Sequence, residues 1–187
     1  AVILPWALPA VVNAVLWEWI YQPGAGLLNG LLSVAGLPFQ NHVWFNDRIS
    51  AIIAVSVVHI WRMMPLTVVI VLAAMQSIPE HLYEAARIDG ATRPQMFFSI
   101  TLPLVRSAIA VAVANSTVAA FNLFDEAWVL TASSQDTRPI LTEIYLETFQ
   151  NLHFSYGMAM SLVLTIVSLL VSLIFVVRIY RSTRLDA

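Results

Sequence analysis

The chain has 187 residues, of which 59% are hydrophobic and 11% are charged, and its formal net charge is -2. Soluble domains carry about 25% charged residues, so this composition indicates an integral membrane protein. The absence of cysteine excludes disulfide frameworks and thiolate metal sites. The small net charge gives no indication of a nucleic-acid partner.

Four apolar segments are long enough to cross a bilayer, because a hydrocarbon core of about 30 Å requires about 20 apolar residues. They cover roughly residues 1–21, 50–76, 104–131 and 156–180. The first residue already lies inside an apolar run and is not Met, so we expect further helices to precede it. The sequence therefore predicts an all-α integral membrane protein, with 1–187 as one N-terminally incomplete transmembrane domain.

A polar stretch, 77–103, separates the second and third segments and carries two helix-start signals. The capping-box pattern occurs at Ser77-x-x-Glu80 and again at Thr92-x-x-Gln95. Gly90 lies between them and can adopt a positive φ angle, which ends a helix and turns the chain. We expect two short helices joined by a tight turn at one membrane face.

A second polar loop follows the third segment, between residues 132 and 155. Within it, the stretch 139–150 alternates apolar and acidic or amide residues at helical spacing, which predicts an amphipathic helix.

Arginine placement predicts the orientation in the membrane. Three arginines lie in or beside 77–103 and three lie in the C-terminal tail: Arg87, Arg93, Arg106, Arg178, Arg181 and Arg184. The two opposite loops hold only Arg48 and Arg138. Basic residues concentrate on the cytoplasmic side, so we predict that the 77–103 loop and the C-terminus are cytoplasmic.

One motif connects the polar stretch to a known family. Glu84-Ala85-Ala86-x-x-Asp89-Gly90-Ala91, followed by Phe97 and Ile100-x-Leu102-Pro103, resembles the EAA loop of binding-protein-dependent ABC importer permeases. The resemblance implies a type I permease core of six helices, of which this chain holds four, with 77–103 as a cytoplasmic coupling loop. It also implies that the residues that couple to a separate ATPase are Glu84, Ala85, Asp89, Gly90 and Ala91.

The resemblance implies a set of partners as well. Gly26-Leu27-Leu28-Asn29 resembles the larger, maltose-type subunit of sugar importers, of the kind found in mycobacterial trehalose importers. The implied substrate is a disaccharide or small oligosaccharide. The implied assembly contains a second homologous permease, two copies of an ATP-binding subunit and an extracytoplasmic sugar-binding lipoprotein, in the lipid of a bacterial plasma membrane. ATP and Mg are expected on the ATPase and no cofactor in this chain, which has no phosphate-binding loop pattern.

Two polar stripes run along the second and third segments. Arg62 lies near the middle of its segment, where a charge costs about 2.5–3.5 kcal/mol on insertion scales. One stripe holds Ser56, His59, Arg62, Met63 and Leu66, and the other holds Asn115, Ala119, Asn122 and Glu126, with Ser116 and Asp125 beside it. The resemblance implies sugar contacts at His59, Arg62, Met63, Leu66, Ser116 and Ala120, with Asn122 close by.

Other interpretations of these residues stay open. In one interpretation, Arg62 forms a structural ion pair with Asp125 or Glu126, because charges inside a membrane commonly pair. His59 is then a packed histidine, the small polar residues join helices, and Trp61 and Phe121 are packing residues rather than stacking platforms for a sugar. A different class of function, a secondary transporter or channel subunit, would use the adjacent acids as a proton relay. That alternative leaves the 77–103 motif unexplained.

Overall fold

The computed structural model describes residues 3–38, 41–132, 134 and 137–184, with the backbone alone described for 179–184. All regular elements in these residues are helices, which confirms the all-α prediction. Contacts between Cα atoms divide the chain into two compact units. The first is Ala1–Pro65 with Ala120–Thr165, and the second is Leu66–Ala119 with Ile166–Ala187.

Three helical stretches are long and apolar enough to cross a membrane: Arg48–Gln76, Arg93–Phe121 and Phe154–Arg178. The first of them is helix α4 (Arg48–Gln76) and the last belongs to α10 (Phe154–Arg184). The middle one combines α6 (Arg93–Met96), the π-helical turn π1 (Phe97–Thr101) and α7 (Leu102–Phe121). These stretches correspond to the second, third and fourth predicted segments.

The first predicted segment differs, because it is interrupted at a proline. It forms α1 (Leu4–Ala7) and α2 (Ala10–Ile20), with Pro9 in extended conformation between them. Pro9 has no N–H to donate to the carbonyl of Pro5. The fully buried side chain of Asn13 supplies the missing donor, with Nδ2 2.8 Å from that oxygen. A buried break is stable only when its backbone groups are paired in this way.

The third predicted segment is also interrupted. Helix α7 ends at Phe121, and the next helix, α8 (Asp125–Thr131), starts after Phe124, whose φ is -137° and ψ -64°. The prediction of one continuous crossing over 104–131 was wrong at this end. The interruption makes α8 a separate helix.

The core of the first unit lies where α2, α4 and α8 meet. Its buried residues are Tyr21, Ala54, Val55, Val58, Ala127 and Leu130. The loop helix α3 (Leu27–Val34) contributes Asn29, which is buried and pairs twice. Asn29 Nδ2 donates to the carbonyl of His42, and Trp44 Nε1 donates to Asn29 Oδ1 at 2.7 Å. These bonds fix the loop that precedes α4.

The predicted amphipathic helix is confirmed as α9 (Ile140–Tyr145) followed by the π-helical turn π2 (Leu146–Gln150). His153, just before α10, places Nδ1 2.9 Å from Glu147 Oε2. This hydrogen bond lowers the pKa of the Glu147 carboxyl from its ordinary value, because it stabilises the charged form.

The second unit contains the 77–103 stretch, for which two short helices were predicted. One of them is present as a separate helix, whereas α6 continues through π1 into α7 and is the first turn of a membrane-crossing stretch. Helix α5 (Glu80–Ile88) ends in a Schellman motif, in which the N–H groups of Gly90 and Ala91 donate to the carbonyls of Arg87 and Ala86. Gly90 has a φ of +79°, so the predicted turn is confirmed.

Of the two predicted capping boxes, one is present. Thr92 and Gln95 form theirs at the start of α6, where Thr92 N donates to Gln95 Oε1 at 2.7 Å. The prediction at Ser77 was wrong. Ser77 Oγ donates back to the carbonyl of Ala74 at 2.7 Å and finishes α4, while Pro79 caps α5 without a side-chain bond.

A side-chain hydrogen bond ties α5 to the base of α7. Tyr83 Oη lies 2.8 Å from Oγ1 of Thr101, the last residue of π1, which is buried. Pro103 follows two residues later and cannot donate to the carbonyl of Ser99, so the wide turn lies where an α-helical bond is unavailable. The loop is thereby fastened to the long helix on which it stands.

Gly157 offers a test of how π2 packs against α10. A Cβ atom there would overlap Thr148 Oγ1 and lie 3.0 Å from Thr148 Cβ. We predict that Gly157→Ala lowers the free energy of unfolding by about 1–3 kcal/mol, measured by thermal unfolding in detergent. Thr148→Ala in the same chain should recover part of this loss.

Gly30→Ala is the matched control, because Gly30 lies inside α3 and an added Cβ there meets nothing within 4 Å. It should leave the stability unchanged or raise it slightly. Equal losses for the two alanine variants would contradict the packing of Thr148 on Gly157.

Candidate functional site

Helix α4 presents His59 and Arg62 on one face, one turn apart. His59 is 8% exposed, and the Arg62 side chain is 24% exposed. Both residues belong to the part of α4 that lies in the first unit. The predicted stripe on the second segment is therefore a real helical face, and its two ionisable members are adjacent.

Helix α8 brings Glu126 to that face. The break between Phe121 and Asp125 lets α8 begin anew, and Glu126 is its second residue. Only 1% of the Glu126 side chain is exposed. A carboxylate this deeply buried requires a charged partner and hydrogen bonds.

Both partners converge on one carboxylate oxygen. Arg62 Nε donates to Glu126 Oε1 at 2.5 Å, and His59 Nδ1 lies 3.4 Å from the same oxygen. A carboxylate can only accept, so in this contact Nδ1 carries the imidazole proton. Of the two acids that the sequence offered as partners of Arg62, the structure selects Glu126. The pairing interpretation of Arg62 is confirmed, while contact with a substrate stays a prediction.

The other imidazole nitrogen is unsatisfied. His59 Nε2 is buried and has no hydrogen-bond partner among the residues that the structure describes. A buried polar atom without a partner is rare and calls for an explanation. Because Nδ1 is engaged with Glu126, Nε2 is the atom of His59 that is left to meet a further polar group.

Comparison with known proteins assigns the family. The family model described as binding-protein-dependent transport system inner membrane component matches residues 1–184. The chain belongs to this family. The membership agrees with the three membrane-crossing helical stretches and with the EAA pattern of the 77–103 loop.

The relatives of this chain include sugar permeases. The chain is 35% identical over 184 residues to the trehalose/maltose transport system permease protein MalF of Thermococcus litoralis, covering 98% of this chain and 61% of that protein. It is 29% identical over 164 residues to the trehalose transport system permease protein SugA of Mycobacterium tuberculosis, covering 88% of this chain and 52% of that protein.

A solved structure has the same fold. A crystal structure of a bacterial alginate ABC transporter, in complex with an alginate pentasaccharide-bound periplasmic protein, matches with a TM-score of 0.80 and 28% identity. The match covers 93% of this chain and 61% of the other. The chain thus spans between half and two thirds of the length of these proteins.

The remaining predicted substrate residues are divided between the two units. Met63, Ala120 and Asn122 belong to the first, together with the Glu126 cluster. Leu66 and Ser116 belong to the second, where Ser116 Oγ lies 3.5 Å from Thr67 Oγ1. Their contact with a substrate stays a prediction.

Trp61 is engaged in packing. Its ring meets Trp17 edge to face, with centroids 5.6 Å apart. The two rings line one side of an apolar groove of ≈ 530 Å³ that also includes Trp19 and Leu27. This geometry favours the packing interpretation over the stacking one.

The predicted coupling residues lie on an accessible surface. Glu84, Ala85, Asp89 and Gly90 are exposed and Ala91 is half-buried. Ile88 beside them is 86% exposed, although it is a large apolar side chain. Isolated exposed apolar residues are common, but here one projects from a helix that carries a family motif.

An aromatic cluster in the first unit was missed at the sequence level. Phe124 stacks on Trp128 at 5.5 Å, and Tyr145 meets both rings and Phe149 at 5.3–5.5 Å. The cluster joins α8 to α9. The sequence does show aromatic residues in both helices, but their spacing along the chain does not indicate which of them are in contact.

The Arg62–Glu126 pair yields a stability prediction. Arg62→Met leaves a buried carboxylate without its cation, which should lower the free energy of unfolding by about 3 kcal/mol, seen as a lower thermal midpoint in detergent. Adding Glu126→Gln should recover most of the loss. Transport by this double variant then tests contact with substrate, because a stable protein that transports poorly has lost more than a structural pair.

Glu143→Gln is the matched control, because the Arg138–Glu143 pair has a similar N–O distance, 2.6 Å, but a carboxylate that is 39% exposed. Such exposed pairs contribute about 0–1 kcal/mol. An Arg62→Met variant as stable as Glu143→Gln would contradict the role assigned to the buried pair.

Proposed function

We propose that this chain is the permease subunit of an ATP-driven sugar importer and forms half of the translocation pathway. The observation that carries the proposal is the exposed hairpin of α5 and α6, with the EAA pattern, at the foot of a membrane-crossing helix. Main-chain hydrogen bonds close the turn of the hairpin, and its motif residues are accessible. A surface of that kind suits docking into a cleft of a separate ATPase.

The proposed substrate is a disaccharide or small oligosaccharide. The support is that the named relatives include a trehalose/maltose permease and a trehalose permease, and that the matched structure belongs to an alginate transporter. Trehalose is the first sugar to test. The proposed assembly adds a second homologous permease, two ATP-binding subunits and an extracytoplasmic binding protein, in a bacterial plasma membrane with the hairpin and C-terminus cytoplasmic.

The alternative of a secondary transporter or channel subunit uses the buried Glu126 as a proton acceptor. Its support is the carboxylate itself, since intramembrane acids often belong to ion pathways. It leaves the exposed hairpin without a role. Co-purification of the full-length protein in mild detergent decides between them, because only the importer requires a P-loop ATPase to bind the hairpin.

Gly90 tests the turn of the hairpin. Gly90→Val should reduce sugar uptake several-fold at unchanged membrane abundance, because a β-branched residue at a φ of +79° is strained by about 1–2 kcal/mol. An added Cβ meets nothing within 4 Å, so the effect comes from backbone strain alone. Gly90→Asn is the control, since Asn tolerates positive φ, and it should retain most of the uptake. Equal uptake by the two variants would refute a role for the turn.

Glu84 tests the docking face. Glu84→Arg should weaken co-purification of the ATPase or abolish ATPase stimulation by sugar, because a like-charge contact replaces an attractive one. Glu80→Arg makes the same charge change on the same helix, outside the motif, and should have a smaller effect. If assembly and stimulation survive Glu84→Arg, the side chain is an ordinary solvated charge.

A further inference from the structure

We infer that Glu126 makes the intramembrane cluster selective for uncharged saccharides over acidic ones. The inference rests on the proposed function and names the chemical class of its substrate. It starts from the fact that the only charge of Arg62 is already opposed, at 2.5 Å, by a carboxylate that is 1% exposed. A second carboxylate, brought by a ligand, would meet no uncompensated positive charge at this guanidinium.

The cluster nevertheless has hydrogen-bonding capacity left for a ligand. Arg62 donates to Glu126 through Nε. Its side chain is 24% exposed, so the guanidinium remains accessible to a ligand. A ligand group that reaches this face finds the N–H donors of Arg62 that Glu126 does not occupy.

The pairing of Arg62 restricts what that group can be. A hydroxyl accepts a hydrogen bond from the guanidinium without bringing a charge to it. A carboxylate would bring a second negative charge to a guanidinium that Glu126 already pairs.

The compensated arginine therefore favours a neutral polyol and disfavours an anion. Glu126 is thus the specificity-determining residue, because its removal exposes the charge of Arg62.

The test measures binding to the permease without the selectivity of a binding protein. The full-length permease, with its partner permease and ATPase in detergent, is presented with equal concentrations of trehalose and a glucuronic-acid-containing disaccharide. Saturation-transfer NMR reports both ligands in one sample, so the ratio of their signals is independent of how much protein is folded. The wild type should favour trehalose.

The Glu126→Gln variant should shift this ratio toward the acidic sugar by on the order of tenfold, since a hydrogen bond to an uncompensated charge is worth more than a neutral one. Arg62→Met together with Glu126→Gln leaves no exposed charge and should retain the preference for trehalose. Glu143→Gln, on the exposed outer helix, is the control and should bind as the wild type does.

Two results overturn the inference. One is a wild-type complex that binds the acidic sugar as well as trehalose or better, which decides the matter even if Glu126→Gln fails to assemble. The other is an assembled Glu126→Gln complex with an unchanged ratio. Failure of the proposed function gives a different result, because neither sugar then binds and no ATPase co-purifies.

Discussion

The buried carboxylate of Glu126 constrains the rest of the first unit. A charge that is 1% exposed is tolerated only with its cation in place, so α8 must approach α4 at the level of Arg62. The interruption after Phe121 makes that approach possible, and Ala127, Leu130 and Val58 lie in the same buried apolar cluster. Buried pairs contribute little net stability, but an arrangement of the helices that separated Arg62 from Glu126 would leave a buried charge without its partner, which is costly.

Hydropathy predicted the long helices well and their interruptions badly. It locates apolar runs, but it does not account for individual backbone hydrogen bonds. The break at Pro9 depends on Asn13 reaching the carbonyl of Pro5, and the role of Ser77 depends on whether its hydroxyl turns backward or forward along the chain. Individual hydrogen bonds decide where such helices end, and a hydropathy average over many residues does not contain them. The Gly90 turn was predictable because glycine adopts a positive φ far more readily than most residues.

Only the part of the candidate site that lies on α4 was predictable from the sequence. Helical spacing places His59 beside Arg62 whatever α4 packs against. The choice between Asp125 and Glu126 depends on where α8 begins, because successive residues of a helix point about 100° apart. The sequence contains no capping signal at that point, since Phe124 caps the helix without a side-chain bond. The partner of Arg62 therefore required the structure.

The turn at Gly90 has a consequence for association. Its shape is held by main-chain bonds within the hairpin, from Gly90 and Ala91 to Arg87 and Ala86, and by the capping box of Thr92. The hairpin therefore has its conformation before it binds a partner. Ordering a flexible segment at an interface costs conformational entropy, and here that cost is met during folding. Whatever receives the hairpin binds a preorganised surface, so more of its contact energy is available as affinity.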